Sequence, residues 1–297
     1  VAVAETRRRL GRFGVWIAPV TLLGTPVAVQ REQFARIEAL GYGSVWTGEP
    51  PAGSPAAGRE AVAQLAVVLA ATDRLVAGMG VANIAMRDPS AMHSGAATLA
   101  EAYPGRLVLG LGGHGGDRPL ARLRGYLDAM DEAAGRLLPQ VRYPRVLAAL
   151  GPRVLRLAGE RADGAHPFMQ PVEHTRTARA ALGPGPLLLP HQMLVLERDA
   201  AAARAGIRAI VGSGPHSAAT PYTNSYRRLG YGDADLADGY SDRLVDAVLA
   251  WGDEGAVAAR LDAQLDAGAD HVLLHPLADG LGPAVDQLER LAPRLMR

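Results

Sequence analysis

Two side chains able to move protons lie in turns of small and rigid residues. Glu49 follows Ser44-Val45-Trp46-Thr47-Gly48 and precedes Pro50-Pro51, so its carboxylate sits where an apolar segment meets a Pro/Gly turn. A carboxylate partly withdrawn from water there suits general acid/base work or accepts a hydrogen bond from a cofactor ring, with a solvated loop glutamate as the alternative. His114 stands in Gly110-Leu111-Gly112-Gly113-His114-Gly115-Gly116, whose residues are too small to bury it. That setting favours proton shuttling or cofactor contact over a place in the core.

The remaining histidines give no metal signature. His271 and His275 have the i, i+4 spacing of a metal pair, but that spacing needs a helix and they flank a predicted strand. His166, His174, His191 and His216 form no recognisable ligand cluster, so no metal site is expected. Gly151-Pro152 and the turn Pro167-Phe168-Met169-Gln170-Pro171 each precede a predicted helix and present backbone N–H groups that suit a phosphate, or are simply tight turns. No Ser-His-Asp order or paired-carboxylate spacing supports a hydrolase.

These residues need elements to hold them. Apolar runs bounded by turn residues predict strands at Phe13–Ala18, Ser44–Thr47, Leu75–Asn83, Leu107–Gly112, Arg145–Leu150, Ala162–Pro167, Leu187–Leu196 and Ala269–His275, with helices between them. Ser241–Trp251 and Asp253–Asp266 read as helices. Gly110, Gly112 and Gly115 fit a dinucleotide G-x-G-x-x-G, but that fingerprint belongs to a first strand opening directly into a helix. Eight strands alternating with helices predict an α/β fold, a (β/α)8 TIM barrel over residues 1–297, with a doubly wound open sheet as the alternative.

A barrel does its chemistry at the carboxyl ends of its strands, which selects Glu49, Asn83, Gly112 to Gly116, Gly151 and His166 to Gln170. The stretch 212–239, rich in Gly, Pro, Ser, Thr and Tyr, is an insertion between strands seven and eight and a candidate lid or substrate loop. Tyr222, Asn224 and Arg227 in it, with Trp16 and Trp46 on the first two strands, are the candidate substrate contacts.

Composition narrows the chemistry. The 31 basic and 30 acidic residues leave a net charge of +1, spread along the chain, so neither a nucleic-acid nor an anionic-membrane partner is indicated. Arg7-Arg8-Arg9 reads as a solvated tail. The absence of cysteine removes thiol nucleophiles, disulfides and iron–sulfur clusters, and the absence of lysine removes Schiff-base and P-loop chemistry. Apolar runs are short or interrupted, so a cytoplasmic protein is expected.

Several segments together resemble the bacterial luciferase-like flavin and deazaflavin oxidoreductases, in particular the branch that uses coenzyme F420. They are Tyr103-Pro104-Gly105-Arg106 running into Leu109-Gly110-Leu111-Gly112, Gly43-Ser44-Val45-Trp46 with Glu49, Arg87-Asp88-Pro89, Leu150-Gly151-Pro152, Ala162-Asp163-Gly164-Ala165, Asn224-Ser225-Tyr226-Arg227 and Asp266-Ala267-Gly268-Ala269-Asp270. The resemblance covers nearly the whole chain. It implies a barrel, usually a homodimer, that holds an isoalloxazine-like ring at its mouth and acts on a small-molecule substrate.

Residue by residue, it implies a bulge with a non-proline cis peptide around Gly80-Val81-Ala82, lying with Asn83 against the ring. It places Glu49 near the ring, and Gly112, Gly113, His114, Gly151, Pro167, Phe168 and Met169 around the cofactor tail. The implied activity is hydride transfer between F420 and a small organic substrate, with Glu49 and His114 shaping proton transfer. The alternatives are an FMN-dependent monooxygenase and a cofactor-binding barrel without chemistry. The loop after His114 is shorter than in relatives, which leaves the mouth more open.

Overall fold

The computed structural model describes residues 3–50, 58–113, 116–212 and 220–296. Ten parallel strands are described: β1 (Phe13–Ile17), β2 (Ser44–Thr47), β3 (Val76–Asn83), β4 (Leu107–Gly112), β5 (Arg145–Leu147), β6 (Gly164–Ala165), β7 (Leu187–Leu188), β8 (His191–Val195), β9 (Leu249–Trp251) and β10 (Val272–Pro276). Their hydrogen-bonded order is β7-β6-β5-β4-β3-β2-β1-β10-β8-β9. β7 and β8 are two pieces of one extended segment, parted by Leu189-Pro190. The first pairs with β6 and the second with β10, so this segment closes the sheet into the predicted barrel. Proline brings no N–H to a ladder, but Pro190 O still accepts from Leu273 N–H at 2.9 Å, on the β10 side.

Residues alternate between the barrel interior and the surrounding helices. Trp16, Trp46, Val76, Val108, Val146, Leu187, Leu189 and Leu273 fill the interior, and Leu10 joins them from the helix Val3–Leu10. Their neighbours Val15, Val45, Ala77, Leu109 and Leu274 face outward and pack with Phe34, Leu65, Met92 and Leu288 of the helical shell. Helix starts follow local chemistry: Asp88 accepts from Ser90 N at 2.8 Å ahead of Pro89, and Glu60 accepts from Ala63 N at 2.7 Å.

Three expectations are corrected. The Arg7-Arg8-Arg9 segment is helical, and Arg7 is tied to Asp270 at 2.7 Å and to Gly185 O at 2.8 Å, which fastens this helix to the barrel. The helix expected to reach Trp251 ends at Val248, and Leu249–Trp251 forms β9 against Met193–Val195. Three residues are too few to show a strand period. The described part of the insertion, 220–239, contains helices Pro221–Arg228 and Asp233–Leu236 rather than open loop. Thr220 caps the first by accepting from Thr223 N, with Pro221 at its first turn. Tyr226 and Tyr231 of the insertion share a second core with Tyr240, Leu244 and Val248 after it and with Met169 and Met193.

Candidate functional site

The carboxyl ends of β2, β3 and β4 meet around a bulge. Register between β3 and β4 shifts from Met79 to Ala82, and the peptide joining Gly80 to Val81 is cis, where the resemblance placed it. Trp16 Nε1–H donates to Gly80 O at 3.0 Å, and Glu49 N–H donates to Val81 O at 3.0 Å, so both sides of the bulge are tied down. The side chain of Val81 is half-buried at the mouth.

Glu49 is placed beside the bulge, but its carboxylate is already engaged. It accepts from Asn83 N–H at 2.9 Å and from both terminal nitrogens of Arg87, at 2.8 and 2.5 Å. Arg87 also meets Glu60 at 2.7 Å, and the Glu49 bond raises the guanidinium above its ordinary value. Its backbone carbonyl accepts from Tyr126 OH at 3.0 Å. A carboxylate with three donors is a brace for the β3 end more than a free base.

Side-chain size divides the mouth. Gly48, Val81, Gly112 and Ala148, on β2 through the end of β5, are small, and Asn83 turns its amide oxygen to Ala85 N at 3.0 Å. Gly113 is exposed with φ +74°, and a Cβ there would stand 2.1 Å from Asn83 Oδ1. Only glycine lets the chain pass over that amide. This half is therefore backbone and small side chains, with Val81 packed over Gly112 and Ala148 and the neighbouring polar groups already paired. His114 lies outside the described residues.

The other half is built from large rings. Trp16 packs against Phe168, His191 and His275 with ring centroids 5.2, 5.1 and 4.6 Å away, and Phe168 stacks on His191 at 3.9 Å. His191 Nε2 and His275 Nδ1 are 2.8 Å apart across β8 and β10. His166 on the end of β6 donates through Nδ1 to Leu189 O at 2.7 Å, leaving a buried Nε2 without a partner beside Gly80. Burial pushes His166 down to about 4 and His275 to about 3, and His191 well below its usual range. Sequence reasoning treated these three histidines as unrelated. They sit on neighbouring segments of the barrel: His166 directly follows β6, His191 opens β8, and His275 lies near the carboxyl end of β10.

Trp46 is not at the mouth. It is fully buried, and its ring lies over Gly78, where a Cβ would come within 2.1 Å. Its Nε1–H donates to Ser44 Oγ at 2.9 Å, and Ser44 Oγ lies 2.7 Å from His271 Nε2, a chain that fills the barrel below the mouth. Trp16 lies just beneath the mouth with 5% of its surface exposed.

The insertion helix Pro221–Arg228 divides the remaining candidates by face. Tyr222 approaches Phe168, with ring centroids 6.4 Å apart, while Asn224 and Arg227 are exposed and Arg227 pairs with Asp233 at 2.9 Å. The residues between them do the holding: Ser225 Oγ donates to Gln170 Oε1 at 2.8 Å and Tyr226 OH donates to Met169 O at 2.7 Å. Sequence reasoning missed Ser225 and Tyr226 as anchors.

The turn Pro167–Met169 therefore has little backbone left for a phosphate. Pro167 O accepts from His191 N, and Met169 N–H points at His191 Nδ1. Gly151 keeps the geometry of a helix start, and the Arg228 guanidinium stands 3.7 Å from where its Cβ would be. Among the described residues no cluster of His, Asp and Glu could hold a metal ion, and no helix is long and apolar enough to cross a membrane.

Comparison with known proteins gives the same architecture. A Mycobacterium tuberculosis protein provisionally named as a coenzyme F420-dependent oxidoreductase is 31% identical over 183 residues, 57% of this chain and 47% of the relative. The chain thus spans about half the length of that curated relative. Among solved structures, an F420-dependent secondary alcohol dehydrogenase holding an F420–acetone adduct superposes with a TM-score of 0.71 at 15% identity, covering 96% of this chain and 99% of that one. The oxygenating constituent of 3,6-diketocamphane monooxygenase from Pseudomonas putida, in complex with FMN, gives 0.69 at 14% identity, covering 96% and 98%. Such low identities speak for the fold alone. The profile of the luciferase-like monooxygenases matches residues 12–271, and the chain belongs to that family.

Proposed function

We propose that this chain binds coenzyme F420 with its deazaflavin ring on the Val81 bulge and catalyses hydride transfer between that ring and a small organic substrate. The observation that carries the reading is the small-residue half of the mouth, where Gly48, Val81, Gly112 and Ala148 surround a bulge held by Trp16 and Glu49. The choice of deazaflavin rests on the Mycobacterium tuberculosis relative. The bound ring would supply the hydride chemistry, and the protein supplies position and electrostatics.

In this reading Arg87 and Asn83 hold Glu49, and Glu49 holds the β3 end at the height the ring needs. Trp16 and Phe168 wall the substrate side and exclude water. Gly151 with Arg228 receives the acidic tail, by a helix N-terminus and a cation together. The insertion from 212 to 239 acts as the outer wall, because it seats Tyr222 beside Phe168. The second reading, an FMN monooxygenase, is favoured by the FMN-bound structural neighbour.

A side-by-side titration with oxidised F420 and FMN, followed by fluorescence and absorbance, separates them. F420 is expected to bind more tightly. Binding of FMN alone would overturn the deazaflavin reading, and binding of neither would overturn the ring site itself.

A further inference from the structure

Two donor–acceptor contacts set the protons on the histidine pair. A backbone amide can only donate, so Met169 N–H, 3.4 Å from His191 Nδ1, makes that nitrogen an acceptor. A neutral imidazole carries one proton, so His191 holds it on Nε2, where it donates to His275 Nδ1 at 2.8 Å. His275 must then carry its own proton on Nε2. Burial keeps both rings uncharged.

The final N–H has no partner among the described residues, yet it is not sealed away as His166 Nε2 is. His275 is 8% exposed and stands at the end of β10 against the Trp16 ring. A relay that starts on a backbone amide thus ends on a neutral donor opening to the mouth. The surroundings are apolar: Trp16 and Phe168 flank the pair, and the Arg87 cation is already neutralised by Glu49 and Glu60. A carboxylate set against the Trp16 and Phe168 rings would be desolvated with no positive charge from those side chains to meet it, whereas a neutral oxygen acceptor gains a hydrogen bond.

We propose that His275 Nε2–H is the substrate-binding donor for an uncharged oxygen, a ketone carbonyl or an alcohol hydroxyl, and that His191 is the positioning residue that holds it in this tautomer. The proposal names the substrate class of the deazaflavin site and rests on that reading.

The test uses the whole chain labelled with 15N-histidine and long-range 1H–15N spectra at pH 7. Loss of a signal in His275→Gln assigns that ring. Cyclohexanone is the neutral probe and acetate the anionic one, each added with and without F420. The expected result is a neutral His275 with its proton on Nε2, a saturable shift of that nitrogen with cyclohexanone, and no such shift with acetate. His271, at the opposite end of the barrel interior, should not move. In His191→Phe, which keeps a ring for Phe168 to stack on, His275 should populate both tautomers and the cyclohexanone affinity should fall at least several-fold.

A proton on His275 Nδ1, an unmoved His275 signal, or an equal response to acetate overturns the proposal. If His191→Phe does not fold, the wild-type spectra still decide. F420 binding with an unmoved His275 signal defeats this donor alone. A saturable cyclohexanone shift without F420 binding supports the donor and defeats the cofactor reading instead.

Discussion

Glu49 and Arg87 form a two-pronged ion pair, at 2.5 and 2.8 Å, with only 6% and 14% of their side chains exposed. This bond joins the end of β2 to the turn after β3, and Glu49 also accepts from Asn83 N–H. Removing one member of a buried pair strands the other charge, at a cost of roughly 3–5 kcal/mol. Arg87→Met is therefore expected to lose about 3 kcal/mol of stability in urea unfolding. Glu49→Gln, which keeps an oxygen for Asn83 N–H, should lose about half as much. The double variant should lose clearly less than the sum, and additive losses would show that the pair does not act as a unit.

Trp46 is expected to matter for stability and not for ligand binding. Its ring fills the space over Gly78, and its N–H begins the chain to Ser44 and His271. Trp46→Leu should cost about 3 kcal/mol or more in thermal or urea unfolding, since it opens a cavity and removes the donor from Ser44. F420 affinity of the folded fraction should stay within a few-fold of wild type. A large loss of affinity with unchanged stability would return Trp46 to the binding site.

The buried histidines make the fold acid-sensitive. His166 and His271 are pushed down to about 4 and His275 to about 3 by burial, against roughly 6.5 in an unfolded chain. Between those values the unfolded state binds protons that the folded state refuses, so stability rises with pH across this window. The contribution is complete above about pH 6.5 and is lost progressively as pH falls toward 4. Lowering the pH from 7.5 to 5 should remove on the order of 5 kcal/mol through these three groups. Urea midpoints at the two pH values measure this, and equal midpoints would mean the rings are not held neutral.

The barrel was legible because each strand is an apolar run between turn residues, and periodicity reports that directly. The β3 bulge was legible through Gly78 and Gly80 together with the family resemblance. What stayed hidden depends on distant pairing. His191 and His275 are 84 positions apart and meet only because the Leu187–Val195 segment changes partners at Pro190. Glu49 reads as a free carboxylate in sequence because its partner Arg87 lies 38 positions away. Asn224 and Arg227 look as suited to a site as Tyr222 does, and only the facing of one short helix separates them.

That helix supplies the last prediction. Tyr226 is fully buried, and its OH donates to Met169 O at 2.7 Å, while Ser225 Oγ holds Gln170. Met169 adopts φ +49°, a left-handed conformation that a non-glycine residue holds only when its neighbours fix it. Burial also raises the Tyr226 phenol well above its usual range, so the OH remains a donor at any working pH. Tyr226→Phe deletes this one bond and keeps the ring, so it is expected to cost about 1 kcal/mol, because the buried Met169 O loses one of its two donors and keeps only Gln170 Nε2–H at 2.8 Å. Amide exchange at Met169 and Gln170 should accelerate while exchange in β3 stays unchanged. Arg227→Ala, on the exposed face of the same helix, should stay within about 0.5 kcal/mol of wild type. If the two variants behave alike, the helix does not anchor the Phe168 turn.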